Sequence, residues 1–287
     1  MTARVPGHRL HIAVPPGAAL GEGPTWDAAA GRLIWVDILG AEVHTYDPAT
    51  GHRTVLATGS HVGAAKPRAA GGLVVNLRDG VGLYDTDGTF RWLLHEPVPG
   101  RRANDAAVDE RGFLWAGTMR YDGRPGGGTL SRVAPDGTAV VVLDDVTVSN
   151  GTGWSPDGGL MYYVDTPTGR VDVFTVDPGS GLVRDRRPFA VVEEGAGSPD
   201  GLTVDADGCV WVALWDGGAL RRYTPGGALD RVVEVPVERP TACAFGGPEL
   251  RDLYITSAAG PAPHGAGGTL YVLPDAGQGL PGHPFAG

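Results

Sequence analysis

Long apolar runs are missing from this 287-residue chain. No stretch approaches the ~20 consecutive apolar residues that a bilayer-spanning helix needs. Residues 1–16 also lack the apolar centre of a secretion signal, so a soluble, cytoplasmic protein is expected. Cysteine is scarce. Cys209 and Cys243 both fall in apolar, strand-like runs, which predicts reduced core thiols rather than a disulfide or metal pair. Positive charge is short as well: 23 Lys+Arg against 33 Asp+Glu give a net charge of -10, which argues against nucleic acid or an anionic membrane as partner. The chain has no Gly-x-Ser-x-Gly elbow, no P-loop and no Gly-x-Gly-x-x-Gly after a strand, which removes three large enzyme classes. Its 8 histidines are scattered without metal-ligand spacing, and no amphipathic helix stands out.

Glycine and proline are plentiful, at 47 and 24 residues, and the glycines recur at strand ends. That pattern suits an all-β protein with many tight turns. Apolar strand segments group into six repeats of about 40 to 50 residues with about four strands each, the spacing of propeller blades. The sixth repeat, from Leu253, runs out before its outermost strand, while residues 8–14 form a spare alternating strand at the other end. Pairing the two would close the ring and leave no bare edge. The expectation is one domain over residues 1–287: a six-bladed β-propeller of four-stranded antiparallel blades, its N-terminal strand completing the last. A two-sheet sandwich would not explain the repeated turn spacing. Two connections, residues 120–127 and 258–267, are longer than hairpins and could act as lids or be tolerated insertions.

The repeats share one polar position. Glu22, Asn104, Asn150 and Asp200 each lie five residues before a turn-opening Asp27, Asp109, Ser155 and Asp205. In a cyclic array equivalent positions converge on the axis, so these side chains form a ring of oxygens. Val62 and Thr241 hold the matching places in the second and sixth repeats. Ser-Pro-Asp-Gly occurs twice: residues 155–158 sit where a turn belongs, but residues 198–201 sit one strand earlier, where none is required. Glu22, Asn150 and Asp200 are hard ligands suited to one divalent cation, Ca²⁺, Mg²⁺ or Mn²⁺ more than Zn²⁺. Such an ion would also relieve two carboxylates buried together. Arg102, two residues before Asn104, can face the same side and hold substrate oxygens. Asp122 could accept hydrogen bonds from a polyol. Asp105 is expected to point away from the axis and support the turn. His61 lies near the ring position.

Leu20-Gly-Glu-Gly-Pro-Thr-Trp26, Arg102-Ala-Asn-Asp105, Ala116-Gly-Thr-Met119, Ser149-Asn-Gly151, Pro199-Asp-Gly201 and Phe245-Gly-Gly247 together resemble the regucalcin/gluconolactonase family, along nearly the whole chain. The resemblance implies a six-bladed propeller that hydrolyses sugar lactones with a divalent metal in its central channel. It implies metal ligands at Glu22, Asn150 and Asp200, and substrate contacts at Arg102 and Asn104. Asp122 matches a position where some relatives carry a substrate-contacting Glu. The implied partner is a small sugar lactone and the implied product an aldonic acid; from the chemistry of such a site Asp200, or hydroxide on the metal, would remove the proton of the attacking water, and the expected assembly is a monomer or weak homo-oligomer. Phosphotriester hydrolysis on the same metal, or a non-catalytic ligand- or calcium-binding propeller, are the alternatives.

Overall fold

The structure, a computed structural model, describes residues 2–6, 9–260 and 267–287. Six antiparallel sheets stand in a ring, their strands following one another outward from the axis in chain order. The innermost strands are Gly21–Asp27, Val62–Pro67, Arg101–Val108, Ser149–Trp154, Ser198–Val204 and Pro240–Gly246. They define blades 1 to 6 of a six-bladed β-propeller. Among the described residues helix is confined to short 3-10 turns such as Thr166–Thr168.

Packing explains the sequence pattern. Six apolar clusters fill the six gaps between successive blades. Strands near the axis have neighbours on both faces and read as continuous apolar runs, such as Leu33-Ile-Trp-Val36, all buried. Outer strands such as Arg53–Ala57 are largely exposed. Cys209 and Cys243 are free and buried, as expected. The turn-opening aspartates do more than turn the chain. In blade 3, Asp109 Oδ2 accepts from the Trp115 indole at 2.9 Å and from Arg132 Nε at 3.1 Å. In blade 5, Asp205 Oδ2 accepts from Trp211 and Arg222 in the same way, at 2.8 Å each. One carboxylate thereby ties three strands of its blade.

The ring closes as the sequence predicts, with a shorter strand. His11–Val14 pairs antiparallel with Leu270–Leu273 and becomes the outer strand of blade 6. His8 and residues 261–266 of the second long connection lie outside the described residues. Two features carried no sequence signal. Ala3–Val5 adds a fifth, parallel strand to blade 5 beside Leu229–Glu234. The C-terminal segment, residues 274–287, crosses one face of the ring as a strap. It bridges Gly279 to Asp205 of blade 5 and Phe285 to Arg68 of blade 2, and Ala286 donates to Gly112 O of blade 3. Phe285, fully buried, enters the cluster between blades 2 and 3.

Candidate active site

All six innermost strands slip register with the next strand at one level. The shifts fall between Glu22 and Thr25, Val62 and Ala64, Ala103 and Ala106, Ser149 and Thr152, Pro199 and Leu202, and Pro240 and Ala242. Such a bulge re-aims a side chain out of the regular alternation, and here it occurs at the ring position of every repeat, which is polar in all but the second. The strands crowd at this level. A Cβ on Gly63 would lie 2.1 Å from the Asn104 carbonyl oxygen, and one on Gly201 would lie 2.3 Å from the Ala242 Cβ, so only hydrogen fits after the ring residue there.

Buried polar groups hold these segments in place. Asp37 accepts from the backbone N–H of Ala19 and Leu20, just before Glu22. Asp165 does the same for Thr147 and Val148, just before Asn150. Asn76 Nδ2 donates to the Asn104 and Gly117 carbonyls. Thr241, in the sixth repeat, donates to Gly21 O at 2.6 Å, so its hydroxyl ties blade 6 to blade 1.

Glu22, Arg102, Asn104, Asn150 and Asp200 come together as one buried cluster. Arg102 Nη1 donates to Asn104 Oδ1 at 2.8 Å, and Asn104 Nδ2 donates to Ser149 O at 2.8 Å. The Asn104 oxygen is thus committed to Arg102. Asn150 Nδ2 donates to Thr166 Oγ1 at 3.0 Å, whereas Asn150 Oδ1 and Asp200 Oδ1 are buried with no hydrogen-bond partner. Buried oxygens without donors are costly. Two carboxylates and an amide carbonyl, two of them with an orphaned oxygen, fit a hard divalent cation. This set contains an amide, and among the described residues no group of three or more His, Cys, Asp or Glu side chains is placed to hold a metal.

The electrostatics point the same way. Burial, then the neighbouring Asp105 charge, pushes Glu22 up to about 8. Burial, then Glu22 and Asp105, raises Asp200 well above the usual carboxylate range, with the nearby Asn150 side chain and Arg102 opposing. Burial lowers Arg102, while Glu22 and Asp200 act to raise it. Three carboxyls in one dry space repel one another, and a cation removes that conflict.

Asp105 departs from expectation. It occupies the bulge position that Gly23, Gly63, Gly151 and Gly201 hold elsewhere, and it is half-buried, near enough for its charge to act on Glu22 and Asp200 rather than turned away from them. Lys66 counters the burial that raises the Asp105 carboxyl. Lys66 is the chain's only lysine, 8% exposed, with its ammonium donating to Thr25 Oγ1 at 2.6 Å and Gly23 O at 3.4 Å. A lone lysine among arginines was a legible signal for it.

At the outer rim Asp122 is exposed and held by Arg120, through bonds of 2.8 Å to each carboxylate oxygen, which lowers its pKa. The structure places it apart from the buried cluster. On the same loop the Tyr121 hydroxyl shares a 2.7 Å hydrogen bond with His61 Nδ1, and burial followed by the Arg102 charge lowers the His61 pKa. A cavity of about 400 Å³ occupies the other end of the channel, lined by residues two to four places beyond the ring and by the strap. Glu22, Asn150 and Asp200 do not line it.

The fold and cluster define a propeller with an acidic, oxygen-lined channel. The family model described as the SMP-30/Gluconolactonase/LRE-like region matches residues 20–259, and the chain belongs to that family. It is 38% identical over 256 residues to a 6-deoxy-6-sulfogluconolactonase of Pseudomonas putida, covering 87% of each chain. It is 36% identical over 255 residues to the pentonolactonase XacC of Haloferax volcanii, covering 88% of this chain and 87% of the relative. Among solved structures, a calcium-binding protein, regucalcin, from Agrobacterium tumefaciens superposes with a TM-score of 0.94 at 30% identity, covering 99% of both chains.

Proposed function

We propose that this protein is a hydrolase of sugar lactones, acting with one divalent cation held by Glu22, Asn150 and Asp200. One observation carries the reading: Asn150 Oδ1 and Asp200 Oδ1 are buried without hydrogen-bond partners, beside a glutamate whose ionisation burial opposes. The lactonase names of two relatives supply the substrate class. When bound, the cation would supply Lewis-acid polarisation of the lactone carbonyl.

The chain's own residues do the rest. Arg102 and Asn104, already joined at 2.8 Å, would orient the sugar through its oxygens, a pairing that a purely structural cation has no use for. Asp200, with one oxygen free of the ion, would take a proton from the attacking water as the carbon–oxygen bond forms. It would return that proton to the ring oxygen as the ester bond breaks, so one water is consumed and one aldonic acid leaves. Asp122 would meet the outer hydroxyls at the rim by exchanging its bond to Arg120. The hard donor set favours Ca²⁺, Mg²⁺ or Mn²⁺.

A panel of aldonolactones run beside an organophosphate triester, with each cation added in turn to chelator-treated protein, tests this reading. Lactone opening that requires a cation supports it. Triester hydrolysis without lactone opening replaces it, and cation binding with neither activity makes the channel a binding site.

A further inference from the structure

We propose that the cavity at the far end of the channel is a second binding site, for a small monocarboxylate with an apolar body, its carboxylate seated on the Lys66 ammonium. The site does not depend on the lactonase reading. Every other basic Lys or Arg position in this chain is arginine, so the one retained lysine marks a place where a compact ammonium is needed and a guanidinium fork does not serve. That ammonium is buried, and its bonds go to two neutral oxygens, Thr25 Oγ1 and Gly23 O. Among the described residues it makes no ion pair. A buried charge without a counter-charge in contact is costly, and an ammonium has three donors to place.

The direction in which the missing partner would lie follows from the surroundings. Asp105 and Glu22 attract Lys66 from the ring side, and neither lines the cavity. The cavity lining offers hydroxyls from Thr25, Thr152, Ser155 and Thr203, and Glu110, in the turn that follows the blade 3 innermost strand, is its one carboxylate. The cavity volume, about 400 Å³, lies within the range of about 300–1,000 Å³ typical of small-molecule sites. Its walls include Trp26, Trp154, Phe245 and Leu280, which offer surface to an apolar body. An anionic head with an apolar tail therefore matches both the cation and the walls.

Phenylacetate, with phenylacetamide as its neutral isostere, is the probe. Calorimetry and tryptophan fluorescence, which Trp26 and Trp154 report directly, should give one phenylacetate per chain. Phenylacetamide should bind weaker by about tenfold or more, the size of a charged hydrogen bond. Lys66→Met should lose phenylacetate binding by a similar factor, and Thr203→Leu, which narrows the cavity from the blade 5 wall, should weaken it severalfold. Because the amide comparison uses the unaltered protein, it stands even if Lys66→Met does not fold. Equal binding of acid and amide, or no binding of phenylacetate at millimolar concentration, overturns the proposal. So does phenylacetate binding left unweakened by Thr203→Leu, since the carboxylate would then be seated away from this cavity. Lactone turnover enters none of these readouts.

Discussion

The two ends of one channel are built from the same six strands, two to four residues apart, and they differ in how their polar groups are satisfied. At the ring, the bulges turn carboxylates and amides inward and leave two oxygens without donors. At the far end, threonines and tryptophans line a cavity roofed by the strap, and Phe285 is fully buried in the blade 2–3 cluster. Orphaned buried oxygens mark where a cation would complete the ring, and the seated Phe285 marks where the strap locks onto the fold beside the far cavity. The contrast predicts that the two ends respond to different perturbations.

The largest effect on stability is expected at the far end. Phe285→Ala should cost about 3–5 kcal/mol, the usual range for a buried phenylalanine, measured by denaturant unfolding. Turnover per folded molecule should stay unchanged. A parallel loss of turnover would join the two ends and break the comparison. At the ring, Asp200→Asn should lower lactone turnover by roughly 10² or more with cation saturating, the size of a general-base contribution. Asn150→Asp should change cation affinity with a smaller loss in turnover. Near-full activity of Asp200→Asn once cation occupancy is restored would reduce Asp200 to a ligand.

Stability against pH sharpens the contrast further. Folded Glu22 keeps its proton up to about 8, against an ordinary value of 4.5. Between those values the cation-free fold binds more protons than the unfolded chain, so stability is fully present below pH 4.5 and is lost as pH rises through 8. Chelator-treated protein should therefore melt several degrees lower at pH 8 than at pH 5, and added Ca²⁺ should remove most of the difference. Glu22→Gln should flatten the cation-free profile; a slope unchanged in that variant would assign the proton elsewhere. The smallest effect is expected at the rim. Tyr121→Phe removes the 2.7 Å bond to His61 and should raise KM about two- to tenfold, with kcat nearly constant, as for one hydrogen bond in a partly exposed place.

The fold was legible because turn spacing is local chemistry repeated six times. Ser-Pro-Asp-Gly shows the limit and the power of such reading. At residues 155–158 it closes a turn, with Gly158 N donating to Ser155 O at 2.8 Å. At residues 198–201 the same four residues lie inside the strand Ser198–Val204, as their place in the repeat implied. The buried cluster of Glu22, Arg102, Asn104, Asn150 and Asp200 was legible for the same reason. Asp105 was misread because strict alternation forbids two successive residues from facing one side, and a bulge suspends that rule. Lys66 lies four residues past Val62, on a blade whose ring residue is apolar, so the offset that found the others passed over it. The strap has no periodicity to read. Its Gly- and Pro-rich sequence looks like a loose tail until Phe285 is seated.

Closure also sets a schedule for synthesis. The first blade is tied to the last by Thr241 donating to Gly21 O, and Arg68 Nε donates to Gly287 O at 2.7 Å. His11–Val14 waits for Leu270–Leu273 before it has a partner. Before blade 6 is made the first five blades form an open arc with two bare edges, and blade 6 with the strap both shuts the ring and latches it. Contacts this distant in sequence slow folding and lengthen the time an unfinished chain is exposed to aggregation. Removing residues 274–287 would take away the contacts that latch blades 2, 3 and 5 together.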